Sequence, residues 1–308
     1  MRYVVVVDPQ LSVILPVFNE GPVLASHLVS IAAWLDAEYG REAYELIVVD
    51  DGSSDASRAA IESLSHENTS IVAIAHTTNR GMNEAIRTGV ARSTGSCLVI
   101  FDSDLTYETA TIGRLVEALQ RNGATIAMAS PYMRGGACKA IPFVKRQLSR
   151  FANRFLSYAV RGRYHTMTGV VRAYRGPWLR AVLREKPVDA THGLFFTALH
   201  AREPIVEIPA TLDWSGQPRG RARRVNPRAT LRRIGQVFCA GVKARPAVLV
   251  GLPGLLPGVL PAVVFLAFLF HATAQTLAIA TGVTIAIQYA SLALLGLQVG
   301  DFYTNGVV

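Results

Sequence analysis

Two acidic clusters mark where this chain can do chemistry. Asp102-Ser103-Asp104 sets two carboxylates two positions apart, and Asp50-Asp51-Gly52-Ser53-Ser54-Asp55 places a second group on a glycine-containing turn. Carboxylate oxygens are hard ligands that suit Mg2+ or Mn2+, and a cation held by Asp102 and Asp104 would neutralise a diphosphate as charge develops on it. Each cluster also has a purely local reading. The first would be a solvated turn, and Asp50, Asp51 and Ser54 would cap a turn or helix instead of binding ligand hydroxyls. No lysine-bearing phosphate loop and no dinucleotide-binding glycine spacing follows the first strand, so ATP and NAD are poorly supported.

The elements around these clusters alternate. Residues 11–17 read as a short apolar strand ending at Asn19-Glu20-Gly21, followed by a helix over 23–37 and a strand over 44–49 that runs into the first acidic turn. A helix over 57–64, a strand over 71–76 and a helix over 82–91 come next, the last introduced by Asn79-Arg80-Gly81. The strand at 97–101 leads into Asp102-Ser103-Asp104. Further helices are expected at 112–120 and around 193–200, with strands at 124–129 and 205–208. Repeated strand, turn and helix predict an α/β fold with a mostly parallel sheet, whose ligands lie outside the carboxyl ends of its strands. Both acidic clusters fall on that edge.

Residues 142–160 form a basic amphipathic segment. Phe143, Leu148, Phe151, Phe155 and Leu156 are available for burial, and Lys145, Arg146, Arg150 and Arg154 supply charge. It reads either as a helix at a bilayer interface or as a surface helix packed on the sheet. The 308 residues carry a formal charge of +9, and basic residues thicken again over 219–243 just before a long apolar tail. Residues 248–270 and 274–297 are each long enough to cross a bilayer, the first as a span or a re-entrant segment. The expected division is a catalytic domain over 1–230, a basic juxtamembrane segment over 231–247, two transmembrane helices over 248–297 and a short tail over 298–308. The basic flank puts the catalytic domain in the cytoplasm. Three cysteines, Cys97, Cys138 and Cys239, have neither disulfide-framework density nor zinc spacing. Basic patches that follow the tail, without an aromatic recognition module, argue against nucleic acid.

Ser12-Val13-Ile14-Leu15-Pro16-Val17-Phe18-Asn19-Glu20 and the two acidic clusters, in this order, resemble the inverting family 2 nucleotide-sugar glycosyltransferases. Asn79-Arg80-Gly81, Arg87-Thr88-Gly89 and residues 168–174 resemble the subgroup of dolichyl-phosphate mannosyltransferases and bacterial polyprenyl-phosphate glycosyltransferases. The resemblance covers roughly residues 10–210 and extends to a two-helix membrane tail. It implies a GT-A-like fold that uses a UDP- or GDP-type sugar donor and Mg2+ or Mn2+. Pro16, Asn19, Glu20, Asp51 and Asp102 would then bind the nucleotide sugar, with Asp102 and Asp104 as metal ligands. Asp102, Asp104 and Arg172 are the catalytic candidates. Lys145, Arg146, Ser149 and Arg134 are the candidates for an acceptor phosphate, against an ordinary solvated-surface role for each.

This chain departs from the resembled pattern in two places. A frequent Ser-Arg-Tyr triplet appears as Ser130-Pro131-Tyr132, with Arg134 a spatial substitute for the missing arginine, and His165 stands where an aspartate is common. Glu207-Ile208-Pro209 also matches a recurring segment, with a strand-end role for Glu207 at least as well supported as catalysis. The expected reaction is transfer of a sugar to polyprenyl phosphate at the cytoplasmic membrane face. The alternatives are extension of a glycolipid or polysaccharide, and non-enzymatic binding of sugar nucleotide or lipid. The sequence is compatible with a homo-oligomer.

Overall fold

A computed structural model describes residues 10–160, 163–185, 188–190, 193–216 and Gly282. Strands β1 (Leu11–Val17), β2 (Tyr44–Asp50), β3 (Ile71–Ala75), β4 (Cys97–Ile100) and β5 (Ile126–Ser130) alternate with helices α1 (Leu24–Tyr39), α2 (Ser57–Glu67), α3 (Met82–Arg92) and α4 (Ala110–Arg121). Then follow β6 (Ala137–Lys139), α5 (Phe143–Ala159), β7 (Arg172–Arg175), α6 (Gly176–Glu185), α7 (Gly193–His200), β8 (Ile205–Pro209) and β9 (Thr211–Asp213). Seven strands make one sheet in the order β3-β2-β1-β4-β7-β5-β8, and β6 and β9 pair separately. Only β7 runs antiparallel to its neighbours in the large sheet.

Both faces of the central strands are covered, which explains why β1 and β2 read as near-continuous apolar runs. Leu11, Val13, Leu15 and Val17 of β1 face a core that includes Leu28, Ile31 and Leu35 of α1 and Ile112 and Leu115 of α4. The alternate residue Ile14 meets α3 on the other face, where a Cβ built on Gly89 would stand 2.5 Å from the Ile14 side chain. The period of two thus assigns alternate residues to opposite helical layers.

Beneath this apolar packing lies a buried polar junction. Ser12 donates from its hydroxyl to Glu45 Oε1 at 2.7 Å, and Thr94 donates to the same oxygen from its N–H at 2.6 Å and its hydroxyl at 3.0 Å. Gly95 N–H donates to Ser12 Oγ at 2.9 Å. The junction ties β1, β2 and the entry to β4 together at the amino edge of the sheet.

Four elements were not foreseen: the short pair β6 and β9, and also β7 and α6. β7 contributes Arg172 and Arg175 among its four residues, which hides the apolar strand signal. α6 opens on Gly176-Pro177, which reads as a turn, although proline is accepted in a first helical turn where its missing N–H costs no bond.

The chain divides into two compact units, Met1–Arg154 with Tyr164–Arg224, and Phe155–Arg163 with Val225–Val308. The sheet and everything below belong to the first. The expected juxtamembrane segment, transmembrane pair and C-terminal tail lie outside the described residues apart from Gly282, and among the described residues no helix is long and apolar enough to cross a membrane.

Replacing Glu45 by Ala strands the Ser12 hydroxyl and the Thr94 amide without an acceptor. The expected loss is about 2 kcal/mol of stability, measured by urea unfolding.

Candidate active site

The first half of the site is built where β1, β2 and β4 end. Asn19 follows β1 in a left-handed conformation, φ 52°, which suits a short polar side chain that bonds locally. Its N–H donates to Ser53 Oγ at 3.0 Å, and its Oδ1 accepts from Ser54 N–H at 2.8 Å. The amides of Glu20 and Gly21 donate to Ser57 Oγ at 3.0 and 3.2 Å. The two motifs recognised in the sequence therefore interlock, placing Pro16, Asn19 and Glu20 beside the turn after β2.

The two adjacent aspartates of that turn do different work. Asp50 closes its own loop, accepting from Ser53 N–H at 3.0 Å and pairing with Arg58 at 2.9 Å. Asp51 is 2% exposed and reaches the next loop. Its Oδ1 accepts from His76 Nδ1 at 2.8 Å and Arg80 N–H at 2.9 Å, and its Oδ2 accepts from Gly81 N–H at 2.7 Å. His76 Nε2 lies 3.0 Å from Thr88 Oγ1 on α3. Asp51 thus fixes the entry to α3, a bond set that the nucleotide-binding expectation did not include. Gly52, with φ +74°, lets the turn approach that loop: a Cβ there would stand 2.5 Å from the Thr78 carbonyl carbon.

Asp102 and Asp104 stand on the loop after β4, at the carboxyl edge. Asp104 Oδ1 accepts from the Thr106 N–H at 3.2 Å and its hydroxyl at 2.9 Å, an Asx turn that orients the carboxylate. Asp213 N–H donates to the Thr106 carbonyl at 2.8 Å, so β9 braces the same loop. Burial pushes the Tyr107 phenol far above its ordinary range, with the Asp102 carboxylate adding to the rise and Arg172 opposing it. Among the described residues no three His, Cys, Asp or Glu side chains gather as a closed metal cage. Two carboxylates on one tight loop fit a hard divalent ion that completes its shell with phosphate oxygens and water.

Arg172 departs from expectation. It opens β7 between Ile100 of β4 and Met128 of β5, and is 1% exposed. Its Nη2 donates to the Met167 carbonyl at 2.6 Å, and burial raises the Tyr174 phenol while the neighbouring Arg172 charge opposes the rise. In this structure the buried side chain holds a carbonyl of the loop before β7.

That loop forms the second half of the site, and buried side chains hold it from several elements. Asn153 of α5 accepts from Met167 and Thr168 N–H at 2.8 and 3.1 Å, and donates to Thr168 Oγ1 at 2.8 Å and the Ser149 carbonyl at 2.9 Å. Glu207 of β8 accepts from His165 N–H at 2.9 Å, Thr166 N–H at 2.8 Å and His165 Nδ1 at 2.9 Å. Thr166 and Ser130 share a hydroxyl bond of 2.7 Å.

The acceptor-side candidates lie on α5 and on the turn between β5 and β6. Burial raises the Tyr132 phenol above its usual range, with nearby Ser149 opposing the rise. Lys145 Nζ sits 5.0 Å from the centre of the Trp214 ring, and the Arg146 guanidinium lies 5.9 Å from that of Phe143. Arg134 is exposed on the turn between β5 and β6. Burial pushes the Cys97 thiol up to about 12 and raises Cys138, consistent with thiols that carry no chemistry; Cys239 lies outside the described residues.

His76, Asn153 and Trp214 escaped the sequence reading as site residues. Asn153 alone left a signal, as a polar residue one turn beyond Ser149 on the same helical face. Asn153→Ala should speed hydrogen exchange at the Met167 and Thr168 amides about tenfold while leaving those of Arg80 and Gly81, held by Asp51, unchanged.

With this geometry in hand, kinship is informative. The model of the family described as Glycosyl transferase family 2 matches residues 12–183. A dolichol-phosphate mannosyltransferase of Pyrococcus furiosus is 31% identical over 143 residues, covering 46% of this chain and 39% of that protein. A polyprenol monophosphomannose synthase of Mycolicibacterium smegmatis is 29% identical over 178 residues, covering 54% of this chain and 65% of that one. The chain thus spans less than two thirds of either relative's length. In structure, the glucosyl-3-phosphoglycerate synthase of Mycobacterium tuberculosis, crystallised with Mn2+, UDP and phosphoglyceric acid, superposes with a TM-score of 0.55 at 18% identity, over 77% of this chain and 78% of that one. The fold is therefore the GT-A-like α/β architecture with a mostly parallel sheet, and the chain belongs to glycosyl transferase family 2.

Proposed function

We propose that this chain transfers a sugar, with inversion, from a UDP- or GDP-type sugar nucleotide to polyprenyl phosphate at the cytoplasmic face of a membrane that its apolar tail anchors. One observation carries the choice of acceptor. α5 bears the phosphate candidates Lys145, Arg146 and Ser149 and also exposes Phe143, Val144, Leu148 and Phe151, so cationic groups and uncovered apolar surface share one helix. The printed names of the relatives, a dolichol-phosphate mannosyltransferase and a polyprenol monophosphomannose synthase, support the same class of acceptor.

On this reading Pro16, Asn19, Glu20 and Asp51 line the nucleotide side, and Asp102 and Asp104 hold Mg2+ or Mn2+. The cation, when bound, neutralises the departing diphosphate. An acceptor phosphate oxygen forms a bond to the anomeric carbon as the bond from that carbon to the diphosphate oxygen breaks on the opposite face, and the electron pair leaves with the nucleoside diphosphate. A phosphate monoester is already largely ionised near pH 7, with a second pKa of about 6, so no protein base is required. The work left to the chain is to orient and neutralise: Lys145, Arg146, Arg134 and Ser149 hold the acceptor phosphate, and Asn153 and Glu207 fix the loop beside it.

Extension of a glycolipid hydroxyl keeps one observation in its favour. A carboxylate only accepts, so His165 Nδ1 donates to Glu207 and, in the neutral ring, Nε2 is left as a proton acceptor on a half-exposed residue. A hydroxyl acceptor needs such a base, whereas a phosphate does not.

The primary test is transfer of radiolabelled sugar from UDP- and GDP-sugars into polyprenyl phosphate by the full chain in detergent. Label should appear as an acid-labile phosphate-linked lipid, vanish with EDTA, and fall at least about a hundredfold in Asp104→Ala. His165→Ala should leave that rate within about threefold; a loss of about a hundredfold or more would instead favour the hydroxyl acceptor. With polyprenyl phosphate in vesicles, Phe151→Glu should raise the acceptor KM about tenfold and leave the donor KM unchanged.

A further inference from the structure

The loop bearing Asp102 and Asp104 is gripped at a backbone atom by a side chain from a different element. His27, partly buried on α1, has Nδ1 3.0 Å from the carbonyl oxygen of Ser103, the residue between the two carboxylates. A carbonyl oxygen only accepts, so Nδ1 carries the proton and donates. Ser103 itself is 4% exposed, and the next turn of the loop is closed by the Asp104 to Thr106 bonds and by Asp213 on the Thr106 carbonyl. Between these anchors Leu105 is held at φ 52°, a conformation that a non-glycine residue keeps only when its surroundings determine it.

The two carboxylates are attached on either side of Ser103. A rotation of the peptide that carries its carbonyl therefore changes their spacing and direction together. Asp104 has its own local brace in Thr106, whereas the peptide between the two acids is steadied by the imidazole. We propose that His27 is the positioning residue of the candidate cation site: by fixing the Ser103 carbonyl it sets the relative placement of Asp102 and Asp104, and through it the affinity for the divalent ion. The inference rests on the reading of these two aspartates as metal ligands. It gives His27 no contact with substrate and no proton to move.

A positioning role predicts a distinctive pattern. Metal affinity falls when the donor is lost, kcat recovers at saturating metal because the bound ion re-imposes the geometry, and an isosteric donor restores affinity. Mn2+ binding to the full chain in detergent is followed by the loss of the free-ion electron paramagnetic resonance signal, with UDP and with GDP. His27→Ala and His27→Phe should weaken Mn2+ binding about tenfold, the scale of losing an outer-sphere support. The Phe variant keeps a ring on α1 and removes only the donor. His27→Asn, whose amide nitrogen stands as many bonds from the backbone as Nδ1, should bind within about twofold of the wild type, a difference well under one hydrogen bond.

Thermal unfolding of each variant separates a folding defect from a binding one, and if His27→Ala fails to fold, the Phe and Asn pair carries the comparison. Wild-type affinity in His27→Phe, or an Asn variant as weak as Phe, overturns the positioning role while leaving the cation reading in place. A wild-type chain that binds no Mn2+ with either nucleotide overturns the cation reading, and the role of His27 with it.

Discussion

A carboxylate removed from water must collect hydrogen-bond donors, and this fold uses that demand to join its loops. Glu45 gathers Ser12 and the amide of Thr94, Asp50 gathers Ser53 and Arg58, Asp51 gathers His76 and the amides of Arg80 and Gly81, and Glu207 gathers the amides of His165 and Thr166. Each acid sits on or beside a strand; Asp50 closes its own loop, whereas Glu45, Asp51 and Glu207 take donors from segments 25 or more positions away. The rigid sheet thereby fixes the parts of the chain least able to fix themselves. The acids that attract attention as chemistry are in large part the joints that keep the chemistry in place.

The single antiparallel strand has a related effect. β7 lies between β4 and β5 but runs the opposite way, so its first residue, Arg172, stands at the edge where its neighbours finish. The loop preceding β7 therefore arrives at the same edge as the loop following β4. A parallel strand in that place would have delivered the connection to the far side of the sheet. The loop carrying Asp102 and Asp104 and the loop before β7 share one rim because one strand is reversed.

How much of this the sequence disclosed follows from which forces leave a local trace. β1, β2 and α3 were legible because burial on both faces writes apolar runs and helical spacing directly into residue order. Asp102 and Asp104 were legible as a pair after an apolar strand, and the Asp50-Asp51 pair as a turn. The division of labour between Asp50 and Asp51 was not. It depends on which side of the strand end each side chain leaves, and so on partners, Arg58 and His76, that lie 8 and 25 positions away. Arg172 was singled out from the resembled motif, and nothing local in the sequence showed that it would be buried with its Nη2 on the Met167 carbonyl. His27 and Asn153 give ordinary helical signals, and their importance comes only from which carbonyl or amide the fold brings to them.

The bond from Asp213 to the Thr106 carbonyl has a consequence for the order in which the protein can be finished. Chains emerge from the ribosome amino end first, and segments with local partners organise early. The strands and helices of the first hundred residues contain most of their own partners, so the loop carrying the two aspartates is written long before it is complete. Among the described residues its last brace comes with residue 213, in the strand that pairs with β6 beyond β8. The nascent enzyme thus carries both acidic residues for over a hundred further peptide bonds before the Asp213 amide reaches their loop.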